Sequence, residues 1–595
     1  MSELKSYRVT KNLISQAHSQ VKWLPEAFRL SMLGVFAAIL MNTSIARAEE
    51  SQSNLLPVSK AMVSATLTMP KLGRHGLDSM SLTSTRMICP SQSDQLCFPE
   101  QLQGFYARQD FMPAWQDPAI VDEFMQQLMV LAETQRVPGL LQRMNELNQL
   151  RDKRDQRGFD LLATDSLFVY QAIVHQIQRD PSALYRPADF TLSMKEIQAA
   201  PRMGTPVTLS TIKRLRPIES NFSDLVSQIN RLEQLAPHGV YLTGRPAIQY
   251  GETIPRGEKL IKMLNVFGDL SDQDLTNLTS AEAGEMDGMS TAIVNTGVVH
   301  AAIRHFQQRH GLKTDGVIGP ETARNMARSY QQVAQLLALN MQRNRVLRRD
   351  GQGEVLQVNI PEFMLRILDD NDVLFESKVI VGRSKRPTYL FSSAINHMVV
   401  NPTWNVPETI KEEDVIPKLK RSPNYLASHN MRIVSRRNAS ESIDPNQIDW
   451  STVSAKSFPY EFQQRAGPNN ALGQVKFMMP NSYSIYLHDT PSKRLFNQSK
   501  RNFSSGCVRV ERAHDLAHYL LERQHAGQSA SYENLLKRRT TATINLRKTL
   551  AVDFIYRTAW LDEKGLLQVR EDIYGYDDDT SVPAEHDYIA MNSFR

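Results

Sequence analysis

No block of basic residues interleaved with aromatics occurs in this 595-residue chain, and its formal charge of +6 is a mild excess of 69 Lys and Arg over 63 Asp and Glu. That composition argues against nucleic acid as a partner and is compatible with an anionic envelope. Cysteine is nearly absent: Cys89, Cys97 and Cys507 are the three. A Cys89–Cys97 bridge would leave Cys507 as the odd thiol, the pattern expected when a third cysteine must stay free to react. The alternative is two unpaired thiols beside a polar tail, since sequence does not give the Cα separation that a bridge demands. An apolar run of spanning length is also missing. Leu30–Met41, interrupted by Ser31 and Gly34, falls short of the roughly 20 residues a transmembrane helix needs. With Lys5, Arg8, Lys11, Lys22 and Arg29 around its start and Ala46-Arg47-Ala48 behind it, the segment reads as an export signal over 1–48, or as an uncleaved tether to the inner membrane. Both readings put the body of the chain on the oxidising side of a membrane.

What the chain does carry is concentrated near its C-terminus. Ser504-Ser505-Gly506-Cys507-Val508-Arg509 lies nineteen residues beyond His488-Asp489 when counted from His488 to Cys507. A thiol attacks as thiolate, so it needs a base such as His488; a small residue before it, Gly506, lets backbone N–H groups face a developing oxyanion. Ser484-Ile485-Tyr486-Leu487-His488 alternates as a strand does, which places His488 near a strand end. Val508-Arg509-Val510 is short and extended, and Ala513, Leu516, Ala517, Leu520 and Leu521 then recur at helical spacing. Cys507 therefore belongs to a turn or strand shortly before a helix. For an arbitrary pair, a buried structural thiol and a satisfied core histidine would be the better reading.

The His488-Asp489-Thr490 and Ser504–Arg509 stretches resemble the signature of the L,D-transpeptidases, His, a spacer, then Ser/Thr-His-Gly-Cys. Val379–Arg383, Asn401–Pro407 and Gly467–Gly473 resemble that domain too and follow in its order, so the likeness spans roughly 352 to 525. It is closest to the large Gram-negative periplasmic type that also carries a peptidoglycan-binding module. One departure is that the family's second histidine is Ser505 here, so that histidine's role is not carried over. The resemblance implies a cysteine acyltransferase with no metal or cofactor. Cys507 would attack the carbonyl of the diaminopimelate at position three of a tetrapeptide stem and expel D-Ala. The thioester would then pass to the side-chain amine of another stem's diaminopimelate, giving a 3→3 cross-link. His488 would take the thiol proton and later handle that of the amine, and the residue after it, Asp489, would contribute its backbone carbonyl. Implied partners are peptidoglycan stem peptides, with synthases and carboxypeptidases supplying the donor. Water in place of the amine would make the same residues an L,D-carboxypeptidase or endopeptidase, and a non-catalytic wall-binding protein would not need Cys507.

Around that pair, Arg509 shares the strand face of Cys507 and suits a substrate carboxylate about as well as a structural ion pair. Ser504 and Ser505 border the nucleophile, and Trp404 and Tyr486 are candidate pocket walls for which core packing is the stronger alternative. His514-Asp515-Leu516-Ala517-His518 mimics a zinc helix, but Asp is a methylene short and no third ligand follows; a solvated helix face is favoured. His300, His305 and His310 recur every five residues and share no helix face.

The predicted fold class is multidomain α+β. Residues 49–98, rich in Ser, Thr, Gln and Met, read as a linker. A helical scaffold follows over 99–236: Asp117 and Pro118 open a helix through Leu131 that Pro138-Gly139 stops, and an Asp165 cap starts another over Leu167–Ile177. Over 237–335, Val299 to Phe306 mark a helix ending at Gly311, then a Thr314-Asp315-Gly316 turn and a helix from Gly319-Pro320. This run resembles a peptidoglycan-binding domain, its glycines and Thr322 serving turns and caps rather than sugar contacts. An apparent first half, Gly257 to Leu270, is set off by a polar stretch, 271–296, read as an inserted loop. A mainly-β catalytic domain occupies 350–595. Within it 408–466 is charged and punctuated by prolines, read as a capping insertion that gates the site. Ile544–Leu546 and Val552–Tyr556 alternate as two further strands.

Overall fold

The computed structural model describes residues 96–577, except 186–205, 218, 220, 236–238, 243–245, 284–291, 347–352, 370–371, 423, 438–440 and 524–527. The leader, most of the linker and Cys89 therefore lie outside the described residues. Cys97 is disulfide-bonded and Cys507 is a free thiol. No helix among the described residues is long and apolar enough to cross a membrane.

The described residues from Pro99 to Leu184 are helical for the reasons their sequence gives. Asp117 accepts the Ala119 N–H at 2.9 Å and Pro118 occupies the first helical position of Pro118–Glu133, where a missing N–H costs nothing. The next long helix begins earlier than expected. It runs Gln156–Arg179, capped by Asp155 through the Gly158 N–H, so Asp165 is no cap. Asp165 lies mid-helix with no exposure, accepting the Cys97 and Phe98 N–H groups at 3.0 and 2.8 Å and pairing with Arg143 at 2.6 Å. Its carboxylate fastens the backbone at Cys97 and Phe98 to the scaffold, a job invisible to local periodicity.

Helix Tyr330–Arg343 joins two helical cores. Its Ser329–Gln332 capping box opens it, Leu339 packs with Leu102, Phe124 and Phe168 of the scaffold, and Leu336 and Leu337 pack with Ile303 and Phe306 of helix Gly297–Arg309. The expected turn and the helix Pro320–Met326 follow Gly311. The stretch 271–296 is not merely a loop: Asp272–Ala283 is helical. Ser271 Oγ accepts the Asp274 N–H at 3.1 Å and its hydroxyl donates back to the Asp274 carboxylate at 2.6 Å, a reciprocal N-terminal cap. Thr322 is buried and takes a hydrogen bond from Gln307.

The region over 355–555 contains a closed barrel. Its strands are β1 (Val355–Asn359), β2 (Met364–Asp369), β3 (Asp372–Ile380), β4 (Phe391–Val400), and, beyond the insertion's strands β5 (Trp404–Asn405), β6 (Met431–Ser435), β7 (Ser442–Ile443) and β8 (Tyr460–Gln464), β9 (Val475–Met478), β10 (Leu487–His488), β11 (Val508–Val510) and β12 (Ala542–Ile555). They close in the order β1-β12-β4-β9-β10-β11-β3-β2. The two C-terminal strands expected from alternation are one strand, β12, with a register shift between Asn545 and Leu550 that interrupts the pattern. Val358, Leu365, Val379, Met398, Phe477, Leu487, Val508 and Val552 fill the interior with helix Ala513–Glu522.

The insertion folds around its own centre. Strands β5-β8-β6-β7 form a sheet, and Val415, Leu419, Ile433, Trp450, Phe458 and Phe462 pack together away from the barrel core. After β12 the chain leaves the barrel: the hairpin β13 (Ala559–Leu561) and β14 (Leu567–Val569) packs with the helical core around Ile303 and Leu337. The chain then returns to the barrel, where Ile573, Tyr574 and Tyr576 pack against its core and the Tyr574 hydroxyl donates to the Gly382 carbonyl at 2.7 Å.

Candidate active site

The site grows out of a parallel pair of short strands. β10 and β11 align Leu487 with Val508 and His488 with Arg509. Leu487, Val508 and Val510 have no exposure and face the barrel interior, so Tyr486, His488, Cys507 and Arg509 turn to the opposite face. On the other flank β9 sets Lys476 against His488. Sequence spacing predicted three features that the fold contains: His488 at a strand end, Arg509 on the face of Cys507, and a helix from Ala513.

The imidazole is oriented by the main chain. His488 Nδ1 lies 2.6 Å from the Asp489 carbonyl oxygen. A carbonyl only accepts, so Nδ1 holds the proton and Nε2 keeps its lone pair. The Asp489 carboxylate turns elsewhere, its Oδ2 accepting the Gln474 N–H at 3.0 Å. Gly473 makes that possible: its φ is +61°, and a Cβ there would stand 2.2 Å from Asp489 Oδ2. Burial, followed by the Arg509 guanidinium, lowers the His488 pKa to about 3, so the ring is neutral at ordinary pH.

The thiol is half-buried. Cys507 Sγ lies 3.7 Å from the carbonyl oxygen of Ser484, a residue held at φ +56°, where non-glycine residues are uncommon. Burial pushes the thiol up, while Tyr486, Lys476 and Arg509 pull it down without cancelling the rise. The resting pair is thus a protonated thiol and a neutral imidazole rather than a thiolate–imidazolium ion pair. Tyr486 ties the parts together: its ring lies 5.8 Å from that of His488, and Lys476 Nζ sits 5.4 Å from its centroid. Lys476, which sequence reasoning missed, and Arg509 both have their charge set against Cys507. Two cations at one sulfur favour a negative transition state and a substrate carboxylate alike.

The turn before Cys507 is closely bonded. Buried Ser504 donates its hydroxyl to the Cys507 carbonyl at 2.5 Å and accepts the Gly506 N–H at 3.1 Å. An oxyanion role for the Gly506 N–H would require that second bond to open. Gly506 has φ +116°, a conformation natural only to glycine. Thr388, with no exposure, accepts the Gly382 N–H at 2.9 Å and donates to the Gly506 carbonyl at 2.8 Å. Gly382 must be glycine for this loop to fold back, since a Cβ there would meet the Arg386 carbonyl oxygen at 2.3 Å. Thr388→Val keeps the shape and orphans two buried groups, so we expect a stability loss of about 1–3 kcal/mol. A lower melting temperature together with slower modification of Cys507 by iodoacetamide checks this; wild-type values in both would refute it.

The remaining candidates are placed as follows. Ser505 is exposed beside Gly506. Trp404 is on β5, against the insertion's own core. His514 Nδ1 is 2.7 Å from the Tyr532 hydroxyl and His518 Nε2 is 3.0 Å from Glu533; among the described residues no cluster of His, Cys, Asp and Glu is arranged to hold a metal. His300, His305 and His310 bond Asn295, Asp269 and the Phe306 carbonyl separately.

Residues 353–531 match the L,D-transpeptidase catalytic domain, 100–220 a scaffold domain, and 295–326 a candidate peptidoglycan-binding domain. A candidate L,D-transpeptidase of Haemophilus influenzae is 42% identical over 246 residues, which are 41% of this chain and 48% of that protein. The chain thus spans about half the length of the curated relative it matches. Among solved structures, an L,D-transpeptidase from Xylanimonas cellulosilytica is 14% identical, covering 54% of this chain and 99% of its own with a TM-score of 0.15. One from Stackebrandtia nassauensis is 13% identical, covering 54% and 97% with a TM-score of 0.19. The chain carries an L,D-transpeptidase catalytic domain in company with a scaffold domain and a peptidoglycan-binding domain.

Proposed function

We propose that this chain forms 3→3 cross-links in peptidoglycan by cysteine acyl transfer. The observation that carries the reading is the shared face of Cys507, His488, Lys476 and Arg509, with the His488 proton fixed on Nδ1 by the Asp489 carbonyl. His488 Nε2 takes the thiol proton as sulfur adds to the diaminopimelate carbonyl of a tetrapeptide stem. The same nitrogen returns the proton to the departing D-Ala amine. The thioester is then attacked by the side-chain amine of a second stem, whose proton His488 receives and passes to the Cys507 sulfur as the C–S bond breaks, restoring the thiol. Arg509 and Lys476 suit the carboxylates that a tetrapeptide stem carries, and the raised thiol pKa keeps the sulfur unreactive until a substrate is in place. The insertion over 408–466 caps the site, and the peptidoglycan-binding domain retains the enzyme on its polymer. We place the chain in the periplasm, exported by its leader or held by it to the inner membrane; the disulfide at Cys97 is in keeping with an oxidising compartment.

Incubating the protein with tetrapeptides released from sacculi and resolving the products by mass spectrometry tests the reading. Cross-linked dimers accompanied by a protein-bound acyl adduct on the peptide containing Cys507 are expected. Trimmed tripeptides alone would make the enzyme a hydrolase, and no turnover of either kind would leave a wall-binding protein.

A further inference from the structure

Arg386, in the loop between β3 and β4, reaches two parts of the molecule at once. Its Nη1 donates to Ser505 Oγ at 3.0 Å and to Asp414 Oδ2 at 2.7 Å, and its Nη2 pairs with Glu413. Ser505 immediately precedes Gly506-Cys507. Glu413 and Asp414 belong to the insertion, on the π-helical stretch Lys411–Val415, a backbone form that concentrates at functional sites because its extra residue disturbs the regular ladder. The guanidinium is 11% exposed, while the acids are 59% and 34% exposed. The cation is therefore rooted in the barrel loop, and the acids come to it from the cap. Two residues on, Thr388 grips the Gly506 carbonyl from inside the same loop. One loop thus holds the nucleophile turn twice, once by a buried neutral bond and once through a charge that the cap engages.

We propose that Arg386 is a positioning residue that couples seating of the cap to the orientation of the Ser505-Gly506-Cys507 turn. With the cap seated, two carboxylates fix the planar guanidinium and its Nη1 fixes Ser505. With the cap lifted, both ion pairs are lost, Arg386 is free to turn into solvent, and the turn keeps only its inner bonds. A site entered by a bulky stem peptide then acquires its working geometry when the cap comes down behind the substrate. The latch is electrostatic and partly exposed, so salt weakens it. This inference rests on the proposed acyl transfer for its kinetic readout and on the Arg386 contacts alone for its conformational one.

The test uses the full chain with Arg386→Gln, Arg386→Lys and the double variant Glu413→Gln/Asp414→Asn. Hydrogen exchange is followed over 411–415 and over the peptide containing Ser505–Cys507, and thioester formation is timed with a tetrapeptide. The double variant, altered only in the cap, is expected to speed exchange at Ser505–Cys507 while leaving β1 and β12 protected. It and Arg386→Gln should each slow acylation about tenfold, as small misplacements of reacting groups do, and combining them should cost no more than either. Arg386→Lys should recover only part of the rate. Raising salt from about 0.05 to 0.5 M should slow the wild type more than Arg386→Gln, which has already lost the latch and keeps only the salt dependence of substrate binding. Exchange at Ser505–Cys507 that ignores the cap substitutions overturns the coupling, as does wild-type acylation by Arg386→Gln. If the wild type forms no thioester at all, the proposed reaction fails, and the exchange experiment still decides the latch.

Discussion

Cys507→Ala is expected to abolish cross-linked dimers, trimmed peptides and the acyl adduct together, a fall of about 10⁴-fold or more, as when a covalent nucleophile is removed. Nothing adjacent can take over. The Ser504 hydroxyl is buried and committed to the Cys507 carbonyl and the Gly506 N–H, and that of Ser505 accepts from Arg386. Neither has an imidazole poised to deprotonate it. The fold should survive, because the thiol is half-buried and its contact to the Ser484 carbonyl is long, at 3.7 Å; an unchanged thermal transition is the control. Cys507→Ser should be nearly as inactive, since a hydroxyl ionises far less readily than a thiol. Turnover that persists in Cys507→Ala and disappears on adding a chelator would replace the cysteine mechanism with a metal one centred on His514 and His518.

How much of this site could be read from sequence follows from how local each element is. The strand placement of His488 and Cys507 shows in the short alternating segments around them, whereas their pairing as base and nucleophile and the use of the Asp489 carbonyl come from the resemblance to the L,D-transpeptidases, alternation along a strand arguing only against the Asp489 carboxylate. Lys476 did not show itself: it matters because β9 happens to pair with β10 so that Lys476 meets His488, and strand register is not written in either segment alone. Thr388 and Arg386 act across 118 and 119 residues on Gly506 and Ser505, where no spacing rule reaches. Asp165 reads as a cap because it precedes an apolar helical run, whereas its carboxylate is spent on the backbone of Cys97 and Phe98, just ahead of helix Pro99–Ala107. The helix at Asp272–Ala283 is the opposite case, since its Ser271 and Asp274 carried a capping signature that polarity concealed. Strand β12 appeared as two because its bulge breaks the alternation that defines a strand.

His488→Ala should slow acylation by about 10²–10⁴-fold at neutral pH, the usual contribution of a positioned general base, and the deficit should shrink as the solution becomes alkaline. Burial and Arg509 keep the wild-type ring neutral down to pH about 3, so a competent base is present throughout the neutral range and the wild-type rate should vary little there. The variant has only the thiolate it forms unaided. Because burial raises the Cys507 pKa above its ordinary 9.0, that fraction grows about tenfold per pH unit across the neutral and mildly alkaline range, and the residual rate should follow it. A variant whose rate stays level with pH, or equals that of the wild type at pH 7, would remove His488 from the mechanism. Stability supplies an independent reading of the same imidazole. Its folded pKa lies below the ordinary 6.5, so between about 3 and 6.5 the unfolded chain binds the proton that the folded chain refuses. The folded state therefore gains stability as pH rises through that window and loses it on acidification. His488→Ala deletes the group, so thermal transitions recorded from pH 7 to pH 4 should fall less steeply in the variant than in the wild type, even though the variant is the poorer catalyst at neutral pH.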